Sequence, residues 1–318
     1  MMKFSRMVAN LPVLLLLVLL CGTATARVAA PADSSGTGTD ETQSEQRNLK
    51  VTPAITSITE GDFGTFDWRV SFAERNKGVM SPWHDIPLAA ESDGLYNLVI
   101  EMPKRTTEKM EMNKWEAHNP IYQDIKNGEL RHYPNMLYWN YGFLPQTYES
   151  PYRTQSICEI DSIVGDNDPV DVLEISNTTF GIGEILQVKI LGGMPNIDDF
   201  EEIDWKLIAV AKGTPEFDEW NDITDVPAYI LSGVMEWYRW KKYYKNELQY
   251  FACNDTFLDA NYMKEVVLPK THDFWKELIK GELPVEDPPI FYEKKKELED
   301  VKGGNLPADE DAFQWYSN

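Results

Sequence analysis

The chain has 318 residues, 42% of them hydrophobic, enough for one large domain or two small ones with a proper core. Its 52 acidic and 30 basic residues give a net charge of −22. A field of that sign repels nucleic acid and anionic lipid and excludes both as general partners, so an anionic substrate would have to be met by local lysines, arginines or metal ions.

The first 26 residues read as a secretory signal peptide. Lys3 and Arg6 precede the apolar run Leu11 to Cys21, and Ala24-Thr25-Ala26 supplies small residues for cleavage. The run is too short for an ordinary membrane span. A mitochondrial transit peptide, the alternative address, would be Arg-rich and amphipathic. With Cys21 removed, Cys158 and Cys253 remain. Pairing and two buried free thiols both fit the sequence. In a eukaryotic secretory route, Asn177-Thr178-Thr179 and Asn254-Asp255-Thr256 are N-glycosylation acceptors. Residues 27–60 are rich in Ala, Ser, Thr, Gly and Glu without apolar periodicity and read as a disordered leader.

From Phe66 the pattern becomes short extended runs broken by turn residues. Strands are predicted over Phe66–Phe72, Tyr96–Met102, Val172–Ile175, Glu184–Leu191 and Trp205–Ala211. Many short strands separated by Pro, Gly and Asn favour a barrel or sandwich over a βαβ sheet, and the 10 Trp, 15 Tyr and 13 Phe suit such an interior. Two packing helices follow. In the first, Asp225 caps the start, Pro227 opens the first turn, and Ile230, Val234, Trp237, Tyr238 and Lys241 share a face. The second starts near Thr271 with Phe274, Trp275, Leu278 and Ile279 as its stripe. The domain is expected to span residues 61–283, and 284–318, rich in Pro, Glu and Lys, to form a loose tail.

The most informative segment is Gly165-Asp166-Asn167-Asp168-Pro169-Val170-Asp171-Val172, with three carboxylates in six residues just before a predicted strand. Carboxylates at that density are costly unless a cation neutralises them. A solvated acidic turn is the plain alternative. An EF-hand is excluded, because the Gly and Glu it needs at its sixth and twelfth positions are missing.

The run D-N-D-P-V-D-V resembles the signature of the soluble inorganic pyrophosphatases, and it does not stand alone. Trp83-His84-Asp85-Ile86-Pro87-Leu88 and Leu98-Val99-Ile100-Glu101-Met102-Pro103 resemble the entry motif and first active-site strand of the eukaryotic branch. Lys109-Met110-Glu111, Asn119-Pro120 with Gln123-Asp124, Gly128-Glu129-Leu130-Arg131, and Asn140-Tyr141-Gly142 with Pro145-Gln146-Thr147 follow in family order. Asp199, Asp204-Trp205-Lys206, Glu236-Trp237-Tyr238-Arg239 and Thr271-His272-Asp273 complete the series, which covers about residues 65 to 282.

The resemblance implies a mainly β (α+β) fold, a five-stranded OB-like barrel with flanking helices, usually dimeric. It also implies hydrolysis of pyrophosphate to two phosphates with several Mg²⁺ ions. Asp166, Asp171 and Asp204 would form the principal metal site, Asp171 bridging to a second ion, with Asp199 and Glu111 holding the ions that arrive with substrate. Asp168 would be the general base for the attacking water. Lys109, Arg131, Lys206 and Lys242 would clamp the phosphates, Tyr141 would hydrogen-bond the leaving group, and Glu101 would tune the network near the nucleophile.

Three departures from the family pattern stand out. The stretch between Arg131 and Asn140 is short, which displaces a tyrosine normally found before N-Y-G; Tyr138 is the nearest substitute. Thr107-Glu108-Lys109 replaces N-A-K. Arg239-Trp240-Lys241-Lys242 replaces R-x-Y-K, so Lys241 stands where the family has a phosphate-contacting tyrosine. Lys241 would then either reach phosphate itself or point to solvent and leave the contact to Tyr243 or Tyr244. These changes motivate a second reading, a secreted and catalytically weak paralogue kept as a binding or structural protein.

Overall fold

The computed structural model describes residues 55–75, 77–198 and 202–284; the predicted signal peptide and the C-terminal tail from residue 285 lie outside them. Strand β1 (Ile55–Glu60) pairs antiparallel with β2 (Arg69–Glu74), which also takes β3 (Gly78–Met80). After β4 (Tyr96–Met102), β5 (Met110–Met112) and β6 (Ile121–Gln123) return to this first sheet, and a short ribbon of β7 (Ile125–Lys126) and β8 (Glu129–Leu130) follows. The leader was expected to run to residue 60, but β1 occupies its last six positions. That strand is half-buried only at Ile55 and exposed elsewhere, so it carries no apolar alternation to betray it.

The main sheet contains β4 with β9 (Asn140–Phe143), β10 (Gln155–Ile157), β11 (Ile160–Gly165), β12 (Asp171–Glu174), β13 (Ile185–Asp198), β14 (Glu202–Ala211), β15 (Tyr250–Phe251) and β16 (Leu258–Asp259). Five of these close on themselves: β4 pairs with β9, β9 with β12, β12 with β14, β14 with β13, and β13 with β4. This is the expected five-stranded barrel, and closure removes its free edges. Along β14 the residues alternate between two cores. Trp205, Leu207 and Ala209 join one, and Ile208 and Val210 join the other, on the face that also carries Asp204 and Lys206. The helix α2 (Ala228–Trp240), which follows the short α1 (Pro215–Glu219), packs Val234, Trp237 and Tyr238 into that second core.

Two helix starts differ from expectation. Asp225 does not cap α2; it closes a 3₁₀ turn in a capping box with Asp222, and Pro227 precedes the first helical residue. The last helix is already running when it reaches Thr271: from a start capped by Asp259, residues Ala260–Tyr262 pass through a π-helical turn, Met263–Val267, directly into α3 (Leu268–Ile279). No helix among the described residues is long and apolar enough to cross a membrane.

Cys158, in the β10–β11 turn, is bonded to Cys253, just after β15, with Cα atoms 5.3 Å apart and a sequence separation of 95. Of the two readings left open, pairing is the one the fold adopts. Asn177 and Asn254 are both exposed.

Candidate active site

The acidic run leaves β11 and enters β12 as a loop pinned from below by Glu149. The Asn167 N–H donates to the Glu149 carbonyl (2.9 Å), and the Glu149 N–H donates to the Asp168 carbonyl (2.8 Å). Gly165 permits this approach, since a Cβ there would collide with the Glu149 backbone. Glu149 also brings its carboxylate into the site. Oε1 accepts the Trp205 N–H at 3.0 Å, whereas Oε2 is buried without a hydrogen bond. One oxygen each from Glu149, Asp166 and Asp204 lies within 4.8 Å of the others. Burial pushes the Glu149 carboxyl well up, helped by the charges of Asp166 and Asp204. It does the same to Asp166, helped by Asp204 and Asp168. Sequence reading missed Glu149, which stands alone in its turn and is not part of an acidic run.

Asp171 opens β12 directly across from Lys206 on β14. The Lys206 ammonium bridges Asp171 and Asp204, and the Tyr141 hydroxyl donates to Asp171. Burial works against the charge on Lys206, but Asp171 and Asp204 outweigh it and hold the ammonium protonated far into the alkaline range. Burial raises Asp171 to about 6 against the pull of Lys206. Tyr141 stays a donor, because burial and then Asp171 push its ionisation well up. Asn196 donates to Asp204 at 3.0 Å.

Asp168 stands at the loop tip with 45% of its side chain exposed, and Lys114 pairs with it at 2.7 Å. Glu101 is the extra residue of a β-bulge. Ile100 faces Gly142 and Met102 faces Tyr141, so Glu101 has no opposite number and turns into the site. The Met112 N–H donates to it at 2.6 Å, and burial followed by the Asp171 charge raises its carboxyl well up.

A cationic wall stands nearby. Lys109 pairs with Glu111 on β5 and lies 3.5 Å from Asp124, and Arg131 donates to Asp124 at 2.7 Å. Burial, then the Arg131 charge, lowers Lys109 to about 8. Lys242 pairs with Asp198 at the end of β13, and Lys241 lies 3.8 Å from the same carboxylate. Burial opposes ionisation of Asp198, but Lys241 and Lys242 prevail and hold it near 2. Asp199 lies outside the described residues. The displaced tyrosine is not replaced by Tyr138, whose side chain is 64% exposed. Tyr133 takes the inward position, edge-on to Trp237 at 5.2 Å, where burial raises its ionisation and Lys206, Arg131 and Asp171 are the charges it feels.

With this geometry in view, the likeness to known proteins is specific. A family model described as inorganic pyrophosphatase matches residues 98–276. The soluble inorganic pyrophosphatase 6, chloroplastic, of Arabidopsis thaliana is 36% identical over 243 residues, covering 75% of this chain and 79% of the relative. The crystal structure of a type I inorganic pyrophosphatase from Toxoplasma gondii superposes with a TM-score of 0.67 at 36% identity, covering 70% of this chain and 99% of that one. An N-terminally truncated vacuolar soluble pyrophosphatase of Trypanosoma cruzi, solved in complex with PPi, superposes with a TM-score of 0.64 at 33% identity, covering 80% and 100%.

Proposed function

The chain belongs to the inorganic pyrophosphatase family and hydrolyses pyrophosphate to two phosphates, and we propose that it does so with Mg²⁺ held by Asp166, Asp171, Asp204 and Glu149, with Glu111 and Asp199 holding further ions. The observation that carries this reading is the buried, unbonded Glu149 Oε2 beside Asp166 and Asp204. Buried carboxylates crowded this closely are costly unless a cation neutralises them, and hard oxygen donors suit Mg²⁺. When bound, Mg²⁺ lowers the pKa of a coordinated water and screens the charge of the phosphates.

The chain's own groups supply the rest. The Asp168 carboxylate accepts the proton of the attacking water, held in place by Lys114. Lys109, Arg131, Lys206 and Lys242 bind phosphate oxygens and orient the anhydride. Tyr141, kept protonated by its burial, donates to the leaving phosphate. Glu101, fixed by the β-bulge and the Met112 N–H, positions the proton network beside Asp168 and Asp171. The secretory reading of Met1 to Ala26 draws support from the Cys158–Cys253 disulfide, since such bonds persist in oxidising compartments. The assembly proposed is the homodimer usual in the family's eukaryotic branch.

Protonation provides the test. An acid whose folded pKa lies above its unfolded value takes up protons on folding. Asp171, near 6, therefore costs stability as pH rises from about 4 through 6, and the cost persists above that range. Mg²⁺ binds only the ionised carboxylates, so it relieves this cost above pH 6 and competes with protons below it. Mg²⁺ is expected to raise the Tm of the otherwise metal-free protein much more at about pH 8 than at about pH 5, with calorimetric binding following the same order. Absence of both heat and a Tm shift at the higher pH would remove the metal site.

A further inference from the structure

Lys241 follows directly on α2, yet its side chain turns inward and is only 14% exposed. Its ammonium lies over the buried Tyr238 ring, 5.3 Å from the centroid, and Lys206 lies over the same ring at 5.8 Å. The nearest carboxylate oxygen, Asp198 Oδ2, is 3.8 Å away, beyond hydrogen-bond reach, and Asp198 gives its other oxygen to Lys242. Among the described residues, then, this ammonium has a cation-π contact, one long ion pair and the charge of Asp204 beyond ion-pair reach, and its N–H donors have no acceptor within hydrogen-bond distance. A buried ammonium with unused donors is unfavourable in isolation and suits a site that receives an anion. Tyr243 and Tyr244 do not compete for that place, being 55% and 59% exposed.

We propose that Lys241 completes, with Lys206 and Lys242, a three-lysine seat for inorganic phosphate, and that this seat makes the chain hold its product unusually tightly. The inference rests on the pyrophosphatase reading above, because the anion is the product of that reaction. A charge-assisted contact is about twice as strong as a neutral one. Formed equally with substrate and product, it tightens both without favouring the transition state, so it slows phosphate release and leaves the chemical step unchanged.

The test uses the full chain, inorganic phosphate as the probe, and two readouts: calorimetric phosphate binding and the phosphate inhibition constant during pyrophosphate hydrolysis. Lys241→Met is expected to weaken phosphate roughly 10- to 100-fold in both, with a raised KM for pyrophosphate and a raised kcat as release quickens, and Lys241→Arg to restore wild-type affinity within about 3-fold. Should the methionine variant not fold, Lys241→Gln keeps the stem over Tyr238 without the charge and is expected to show the same loss. Unchanged phosphate affinity in a folded Lys241→Met or Lys241→Gln variant, with Lys242→Met still weakened, overturns the seat. A wild-type protein that binds phosphate but fails to split pyrophosphate would contradict the proposed function instead.

Discussion

Replacing Asp168 with alanine is expected to lower kcat by about 10²–10⁴-fold while leaving Mg²⁺ binding largely in place. Removing Asp171 is expected to abolish that binding. The two residues sit three positions apart, but their surroundings differ. Asp168 is the exposed tip of the loop, and its neighbours hold its backbone: its carbonyl accepts from Glu149, and its N–H donates to Asp166 at 3.2 Å. An alanine keeps both bonds and loses only the carboxylate that Lys114 presents to the water. Asp171 is built into the centre of the site, joined to Lys206 and Tyr141. Its loss leaves Lys206 paired with Asp204 alone, so a cation remains beside a reduced set of ligands. Rates at saturating Mg²⁺ and calorimetric Mg²⁺ affinities on both folded variants separate the roles. Weaker binding in Asp168→Ala than in Asp171→Ala would reverse them.

The second large effect is on stability. Closing a loop of 95 residues with Cys158 and Cys253 restricts the unfolded chain, and a loop of this length is worth about 4–5 kcal/mol in the chain-entropy description. The Cys158→Ser, Cys253→Ser double variant is expected to melt roughly 10–20 °C lower than the wild type. Wild-type protein incubated with a dithiol should fall to the same Tm, and the double variant should not respond to the dithiol. Equal melting of oxidised, reduced and substituted protein would show that the bond carries no stability.

The legible parts of this protein are those whose information is contiguous in sequence. Strands β4, β12, β14 and the first half of β13 are legible because their buried runs are continuous, and Asp166, Asp168 and Asp171 because they lie in one short run; β13 continues past the expected end at Leu191 to Asp198, through Gly192, Gly193 and Pro195. Strand β9 shows in the sequence only as the N-Y-G motif. It is four residues long and contains Gly142, where a Cβ would strike the Val99 carbonyl across the pair. Glu149 joins Asp166 and Asp204 through long-range backbone bonds that no local pattern announces: Gly165 N–H to the Ser150 carbonyl at 2.9 Å, together with the Asn167 and Asp168 bonds to Glu149, draws two separate turns together. Tyr138 misled through its nearness to the N-Y-G motif. Its neighbours Leu137 and Trp139 are both buried, but Tyr138 lies in the bend that precedes β9 and faces outward between them. Tyr133, farther away in sequence, is carried inward by its N–H bond to the Thr107 carbonyl at 2.7 Å.

Phosphate release from pyrophosphate by the purified protein, with Mg²⁺ and then with excess EDTA, tests the proposed mechanism most directly. Turnover should require Mg²⁺, disappear in EDTA and return when Mg²⁺ is restored. Ca²⁺ should suppress it, because a larger ion with looser geometry misplaces the water. Equal rates in EDTA would contradict the metal mechanism, and a folded, Mg²⁺-loaded protein with no turnover would return the chain to the reading of a binding paralogue.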